Sequence, residues 1–309
     1  MRDLGQRTPT LRQLELFLAL SAADGIAGAG AKLGMAPSAT SHALKALEST
    51  LGTAVIDRNA PGVALSYAGE QMLPHVRDVF AALQLIQATA TASAGLKTGM
   101  LRIGSFGTSS SLKLLPPLLE RFAARYPGIE VFVTEKPDSE VEQDLVERRI
   151  EIGVVTLPKL QFDPHLLAMD ELVAVLPQAH PLAGLATIPL KELAIHPLVL
   201  THAGSQGLIS RMFARAVIQP RMTHELSQLV SILEFVSRGQ GVSILASLAL
   251  PEHYQGVVYR NISPRSSRRV GLACLNERRL SPAADAFWKM AGSTILPDKM
   301  TGKTQRRSR

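Results

Sequence analysis

Short polar side chains gather on one face of a predicted helix over residues 37–51. The segment PSATSHALKALESTL begins with proline, which suits the first turn of a helix. The helical period directs five apolar residues inward, namely Ala39, Ala43, Leu44, Leu47 and Leu51. The opposite face carries Ser38, Thr40, Ser41, His42 and Lys45. Hydroxyl, imidazole and ammonium groups on one exposed face can bond to base edges and phosphates. The pattern therefore indicates either a helix that enters the major groove of DNA or an ordinary solvated helix face.

A serine-rich segment between a predicted strand and a predicted helix has the chemistry of an anion site. Residues 105–111 read SFGTSSS, and Gly107 leaves its backbone amide bare. Free N–H groups at a helix N-terminus, together with hydroxyls, can hold a carboxylate. Capping of the following helix needs only one of these hydroxyl residues. The segment therefore indicates either a ligand contact or ordinary capping.

The segment AGSQG at residues 203–207 gives a rival interpretation, an α/β hydrolase. It approximates the G-x-S-x-G turn that exposes a nucleophilic serine, with Ser205 at its centre and His224, His253 and Asp285 downstream. The first position is alanine, however, and no HGGG-type segment precedes it to supply an oxyanion hole. These departures disfavour an enzyme. The histidines also form no H-x-x-x-H pair, so no metal site is expected.

The composition excludes several classes of protein. With 46% apolar and 19% charged residues in 309, the chain can bury a large core and is not intrinsically disordered. A single cysteine, Cys274, excludes an intramolecular disulfide framework and multi-cysteine metal sites. Apolar runs fall short of the ~20 residues of a membrane span, and the N-terminus lacks the apolar run of a signal peptide. We therefore expect a cytoplasmic protein with no membrane partner and no cofactor.

The elements that carry these residues fall into two blocks. Residues 10–66 predict three short helices and a hairpin, with Thr10 capping the first helix and Gly34 in the turn before the third. Two helices joined by a glycine turn, with small polar residues opening the second, form the helix-turn-helix pattern. From Met100 onward strands alternate with helices, which predicts an α/β domain with largely parallel sheets.

A long helix predicted at about residues 67–93 joins the two blocks. Apolar residues along it are spaced by 4, 3, 4, 3 and 4 positions, and these are Met72, Val76, Val79, Leu83, Ile86 and Ala90. This a/d spacing indicates either a helix packed on its own domain or one that pairs two subunits. The regularity of the spacing favours the pairing.

Five segments of the N-terminal block, in order and without a gap, match the pattern of one family. They are LRQLxxF from residue 11, APSATSHALxxLE from residue 36, LG from residue 51, DRN from residue 57 and GVxLSxAG from residue 62. The chain thereby resembles the LysR-type transcriptional regulators. HPLA at 180–183 and GQGVSIL at 239–245 agree with the same family, so the resemblance covers about residues 10–297.

The resemblance implies a winged helix-turn-helix joined by a long linker helix to an α/β, two-lobed effector domain like a periplasmic binding protein. The expected boundaries are 8–66 for the winged domain (helix-turn-helix at about 26–45), 67–98 for the linker helix and hinge, 99–297 for the effector domain and 298–309 for a basic disordered tail. Within the effector domain, lobe I takes about 99–160 and 268–297, and lobe II about 161–267. A solute-binding protein would share these lobes, but the first 66 residues argue against it.

The function implied is regulation of transcription, with operator DNA bound by the winged domain and a small, anionic organic effector bound between the lobes. The implied DNA-binding residues are Arg12, Ser38, Thr40, Ser41, His42, Lys45 and Arg58. The implied effector-binding residues are Ser105, Gly107, Thr108, Ser109, Thr156, Thr201, His202 and Gln228. The family also implies a homodimer or homotetramer, paired through the seam of the linker helix, and contact with RNA polymerase.

Charge and glycine content modify this interpretation. The net charge of +7 resides mostly in residues 298–309, with five Lys/Arg against one Asp/Glu, whereas residues 1–66 carry +1. We therefore expect few phosphate contacts from the winged domain. Gly28 and Gly30 lie inside the predicted second helix, where each costs about 1 kcal/mol relative to alanine, so we also expect a soft domain.

Overall fold

The computed structural model describes residues 8–23, 25–57, 60, 63–92, 98–201 and 205–292, with only the backbone at residues 91 and 92. Contacts divide the chain into two compact units, Met1–Gln87 and Ala88–Arg309. The tail at 298–309 and residues 93–97 of the expected hinge lie outside the described residues.

Three helices and a two-stranded hairpin build the N-terminal unit, and a long helix follows them. The bounds are α1 (Leu11–Ser21), α2 (Ile26–Lys32), α3 (Pro37–Leu51), β1 (Ile56–Asp57), β2 (Ala64–Leu65) and α4 (Tyr67–Ala92). β1 and β2 pair antiparallel, with Ile56 opposite Leu65. The predicted helix-turn-helix with its wing is thereby confirmed.

Local sequence explains where these helices begin. Thr10 forms the predicted cap, because its hydroxyl accepts from the backbone N–H of Gln13 at 3.3 Å and the Gln13 side chain accepts from the Thr10 N–H at 2.8 Å. Gly34 has a φ of +66° in the turn before α3, a conformation that favours glycine. The helices then enclose a core that includes Leu16, Phe17, Leu20, Leu44, Leu47 and Val55.

The C-terminal unit alternates strands and helices, as predicted. Its strands are β3 (Gly99–Ser105), β4 (Ile129–Glu135), β5 (Ile152–Leu157), β6 (Asp163–Pro177), β7 (Thr187–Pro189), β8 (Leu198–Thr201), β9 (Met222–Leu226), β10 (Val242–Ala246), β11 (Val257–Ser263) and β12 (Ser267–Cys274). Its helices are α5 (Leu115–Arg125), α6 (Asp138–Val146), α7 (Leu190–Ala194), α8 (Gln206–Arg215), α9 (Leu229–Ser237) and α10 (Pro282–Gly292), with a π-helical turn at Ser109–Leu114. The sequence did not predict β7, β9 or α7, because such short segments carry little apolar periodicity.

Two long strands, β6 and β12, connect the halves of the sheet. The strand order is β4-β3-β5-β12-β6-β10-β8-β9, with β11 also on β6 and β7 on β11. β3 runs parallel to β4 and β5, and β8 to β9 and β10, but β6 and β12 are antiparallel to each other and to their other partners. β7 is also parallel to β11, so that five pairings among the described strands of this unit are parallel and four are antiparallel. The prediction of largely parallel sheets is therefore confirmed only in part. The sheet is mixed because the chain leaves the first half on β6 and returns on β12, in opposite directions.

Each half of the sheet has its own core, which gives the two lobes. Lobe I packs Leu118 and Phe122 of α5 against Phe287 of α10. In lobe II, Ile209 and Phe213 of α8 pack in one cluster, and Ile232, Leu233 and Val236 of α9 in another. The two-lobed α/β architecture is thereby confirmed, and it places the ends of strands from both lobes along one cleft.

Candidate functional sites

α3 presents a polar face that the N-terminal unit leaves uncovered. Ser38, Ser41, His42 and Lys45 are all exposed, as predicted. Leu44, on the opposite side, is buried in the core shared with α1. The hydroxyls lie in the first two turns of α3, and this is the end that a recognition helix directs at base edges.

Thr40 does not belong to this exposed face, so the placement predicted for it is wrong. It is fully buried, and its hydroxyl donates to the carbonyl of Ala36 at 3.0 Å, facing Gly30 of α2. Ala39, predicted to point inward, is exposed instead. Positions 40, 44 and 47 follow one helical stripe, and residue 39 lies about 100° away from position 40. Thr40 is therefore part of the helix crossing.

Two arginines complete the predicted DNA contacts. Arg12 is exposed near the start of α1. Arg58 lies outside the described residues, so its assignment continues to rest on the resemblance. Lys32 donates to the carbonyl of Ala22 at 2.8 Å, which ties α2 to the end of α1.

The apolar residues predicted to form a dimer seam on α4 lie partly in the core of the N-terminal unit and partly on its surface. Val76 is 7% exposed and packs in the core of the N-terminal unit, where half-buried Met72 also packs. The N-terminal unit already covers most of the Val76 side chain, and the assignment of Val76 to a dimer contact stays a prediction. Val79 and Ile86 are 38% and 64% exposed. Leu83 is half-buried and Ala90 exposed, so the seam beyond Val76 remains a prediction.

A cavity of about 260 Å³ opens between the two lobes of the C-terminal unit. The π-helical turn, the segments after β4, β8 and β10, the start of α9 and strand β12 contribute its lining. The predicted effector residues that line it are Gly107, Thr108, Ser109, Thr201 and Gln228. Residues distant in sequence are thus gathered from both lobes, as expected of a ligand site in a two-lobed domain.

Ser105 and Thr156 do not line this cavity, and the placement predicted for them is wrong. Ser105 is fully buried, with its Oγ 2.5 Å from that of Ser110 and 2.7 Å from that of Ser111. It therefore fixes the serine-rich turn from within. Thr156 lies at the end of β5 and lines a separate cavity. His202 lies outside the described residues.

A buried ion pair that the sequence analysis missed connects the two long strands. The side chains of Arg268 on β12 and Asp170 on β6 are 4% and 0% exposed, and Nη2 lies 2.8 Å from Oδ2. Nε donates to the same oxygen at 2.8 Å. The other carboxylate oxygen accepts from the Ser247 hydroxyl at 2.9 Å and the Leu248 N–H at 3.0 Å. A buried ion pair persists when its remaining polar atoms are bonded in this way.

Arg268 also lines the cavity and links the lobes through two serine hydroxyls. Nη2 donates to Ser109 of the lobe I turn at 2.7 Å, and Nη1 donates to Ser205, which precedes α8 of lobe II, at 3.1 Å. The guanidinium carbon lies 5.2 Å from the centre of the Phe106 ring. Strand alternation places Arg268 on the same face as buried Val270, and this was the signal that could have found it.

Charges at the lobe I edge of the cavity are of both signs. Lys136 lies 2.6 Å from a carboxylate oxygen of Asp144. Asp138 lies 3.7 Å from Lys159, and burial raises the pKa of Asp138 although Lys159 acts to lower it. The interior, by contrast, presents the guanidinium edge of Arg268 and neutral hydroxyls. Such a donor-rich wall suits a carboxylate or another oxyanion.

The structure gives the hydrolase interpretation no catalytic geometry among the described residues. Ser205 accepts from Arg268 at 3.1 Å, and neither His224 nor His253 lines its cavity. Burial raises the pKa of the Cys274 thiol to about 12, so this thiol stays protonated at neutral pH. Within the part of the chain that the structure describes, no group of histidine, cysteine, aspartate or glutamate is arranged to hold a metal ion. No described helix is both long and apolar enough to cross a membrane.

Two family descriptions match most of the chain. Residues 11–70 match "Bacterial regulatory helix-turn-helix protein, lysR family". Residues 94–295 match "LysR substrate binding domain". The first range includes the polar face of α3, and the second includes the interlobe cavity.

Individual proteins agree with these matches. The HTH-type transcriptional regulator YvbU of Bacillus subtilis (strain 168) is 31% identical over 290 residues, which is 91% of this chain and 97% of YvbU. Full-length OxyR from Pseudomonas aeruginosa, solved as a cysteine-to-aspartate variant, has a similar fold, with a TM-score of 0.70 over 97% of this chain and 99% of that one, at 22% identity. The effector binding domain of QuiR in complex with shikimate gives a TM-score of 0.57 at 25% identity, covering 63% of this chain and 96% of that domain.

Proposed function

The chain belongs to the LysR family of DNA-binding transcriptional regulators with effector-binding domains, and we propose that its α3 reads operator DNA through Ser38, Ser41, His42 and Lys45. The observation that carries this proposal is the exposure of these four side chains on one face of the second helix of the helix-turn-helix. Arg12 and Arg58 add contacts to the phosphate backbone. Because few cations lie in the first 66 residues, the short hydroxyls supply specificity while Lys45 supplies charge.

Variants of α3 test this proposal. We expect Lys45→Gln to weaken binding to DNA that flanks the protein's own gene, and to lower the slope of log affinity against log salt by about 1, as the loss of one phosphate contact requires. Ser41→Ala should weaken specific binding by about 1–3 kcal/mol and relax the preference for the operator. Fluorescence anisotropy across a salt series measures both quantities. Ser49→Ala, exposed on the same helix two turns away, is the control; if it equals Ser41→Ala, α3 does not read bases.

The effector that we propose for the interlobe cavity is a small organic anion. Support comes from the donor-rich interior, where Arg268 and the hydroxyls of Ser109, Thr201 and Ser205 meet. A volume of about 260 Å³ favours a compact ligand, below the usual 300–1,000 Å³ of sites for drug-sized molecules. QuiR, whose domain is 25% identical, was solved with shikimate, a compact hydroxylated carboxylate, which makes shikimate a rational first probe.

A thermal-shift screen of small carboxylates, shikimate included, identifies the effector. Binding at 100 times the dissociation constant should stabilise the protein by about 2.7 kcal/mol. Thr108→Val keeps the shape of a cavity-lining side chain but removes its hydroxyl, so we expect roughly tenfold weaker binding from one lost hydrogen bond. Ser210→Ala, exposed on α8 and outside the lining, should leave affinity unchanged. Equal affinities for all three proteins would place the ligand outside the cavity.

We also propose a homodimer that pairs through the apolar seam of α4. An apolar groove of about 160 Å³ beside Val79, lined by Leu14, Leu51 and Met72, supports this contact, because a partner's apolar side chain can fill it. A dimer places two recognition helices near 34 Å apart, so the operator should be an interrupted palindrome. Assembly to a tetramer, contact with RNA polymerase, a cytoplasmic location, and action without catalysis or a cofactor belong to the same proposal.

A further inference from the structure

A second concave surface of the C-terminal unit is lined by far more positive than negative charge. It encloses about 780 Å³ between the end of β5, α8 and the start of β12. Six cationic side chains line it, namely Lys159, Arg211, Arg215, Arg265, Arg268 and Arg269, and its described lining includes one carboxylate, Asp138. We refer to it as the arginine cavity.

Four of these arginines have no counter-charge among the described residues. Lys159 is paired with Glu142, and Arg268 with Asp170. Arg211, Arg215, Arg265 and Arg269 are exposed, and within the described parts of the chain no carboxylate lies at ion-pair distance from any of them. Two of them stand one turn apart on α8, where like charges repel each other. An uncompensated cluster of this kind raises the local concentration of anions.

The walls of the arginine cavity contain a hydroxyl that has no partner in the described part of the chain. Thr156 Oγ1 is buried and makes no hydrogen bond to any described residue, although its own backbone N–H donates to Asp138 at 3.3 Å. A buried polar atom without a partner is costly. Because Thr156 lines the cavity, rotation about its Cα–Cβ bond can turn the hydroxyl toward a ligand oxygen there. The phosphates of a rigid DNA duplex do not reach a hydroxyl recessed in this way. Cations around a cavity therefore favour a small molecule over nucleic acid.

We propose that the arginine cavity binds a small multivalent oxyanion, phosphorylated or polycarboxylic. The planar guanidinium group donates two parallel hydrogen bonds to a carboxylate or phosphate, so four arginines match a ligand with two or more such groups. The volume, about 780 Å³, lies within the range of small-molecule sites. This site is distinct from the interlobe cavity, yet both share Arg268 and Asp138, so an anion bound here acts on the wall of the other cavity.

Calorimetric titration of the full chain tests the site, with inorganic pyrophosphate and citrate as separate probes at constant ionic strength. The two arms distinguish phosphate from carboxylate chemistry, and binding of either supports the proposal if Arg265→Gln/Arg269→Gln weakens it at least tenfold. Arg211→Gln/Arg215→Gln should act in the same direction from the opposite wall. The matched control is Arg278→Gln/Arg279→Gln, two neighbouring exposed arginines of the same unit outside the cavity.

The proposal is overturned if neither probe binds at millimolar concentration, or if the cavity and control variants bind equally. It is also overturned if the cavity variants leave anion binding intact but lower the salt dependence of DNA binding, since the arginines would then contact DNA phosphates. Circular dichroism confirms that each variant is folded, and the substituted residues are all exposed. Operator binding by α3 is measured separately, so a negative result for the arginine cavity does not contradict the proposed function.

Discussion

Replacing Arg268 by methionine should destabilise the C-terminal unit by about 3–5 kcal/mol, because it leaves the fully buried carboxylate of Asp170 without its counter-ion. Methionine preserves much of the side-chain volume, so the loss reports charge and hydrogen bonding rather than a cavity. The same substitution removes the donors to Ser109 and Ser205, which lie in different lobes. We therefore expect weaker effector binding as well. Chemical denaturation of the full chain, with hydrogen exchange resolved for β6 and β12, measures the change.

Two further variants identify the cause of this loss. Arg269→Met changes the neighbouring exposed residue of the same strand and should alter stability by less than about 0.5 kcal/mol. Asp170→Asn combined with Arg268→Met removes both charges, and the amide oxygen can still accept from Leu248. The double variant should recover a large part of the stability lost in Arg268→Met. If the double variant is no more stable than Arg268→Met, the stranded carboxylate is not the source of the loss.

Local rules predicted most of the N-terminal unit from sequence. The cap at Thr10, the glycine turn at Gly34 and the bounds of the third helix all depend on neighbouring residues, and the structure confirms each. The same rules did not distinguish Thr40 from Ala39, because an inward stripe with Thr40 in place of Ala39 still contains Ala43, Leu44, Leu47 and Leu51. Burial of the Thr40 hydroxyl depends on where α2 crosses α3, and this is tertiary information.

The candidate sites of the C-terminal unit were predictable in part. Hydroxyls after strands and before helices indicated the interlobe cavity, and Ser109 and Thr201 lie there. The sequence offered no counter-ion for an anion, because Arg268 and Asp170 stand 98 positions apart and meet only when β6 and β12 pair. The same strand pairing made the sheet mixed. Features that depend on strand pairing between distant segments could not be predicted from the sequence, whereas features determined within one helical turn could.

The two glycines of α2 provide the second large prediction, since they should respond oppositely to alanine. Apart from its chain neighbours and the backbone of its own helix, no described atom lies within 4 Å of a Cβ built on exposed Gly28, so Gly28→Ala should stabilise the helix by about 1 kcal/mol. A Cβ on Gly30 would lie 2.0 Å from the Thr40 hydroxyl oxygen and 3.0 Å from its Cβ. Because Thr40 is buried, Gly30→Ala must push α2 away from α3, at a cost of about 1–3 kcal/mol. Of the two glycines expected to soften the domain, Gly28 can therefore be replaced without loss of stability, whereas Gly30 is required for the close contact between α2 and α3.

Hydrogen exchange over residues 26–51, together with operator affinity, measures both effects. Gly30→Ala should speed exchange in α2 and α3 and weaken DNA binding, because it misplaces the recognition helix, whereas Gly28→Ala should slow exchange and leave affinity unchanged. Combining Gly30→Ala with Thr40→Ala removes the overlapping oxygen and the Cγ2 atom at 3.1 Å. The 3.0 Å contact to the Thr40 Cβ is left, and a shift of a few tenths of an ångström relieves it. This double variant should regain most of the operator affinity. If it binds DNA as poorly as Gly30→Ala, the helices are not held apart by Thr40, and the close approach of α2 to α3 does not set the position of the DNA-reading face.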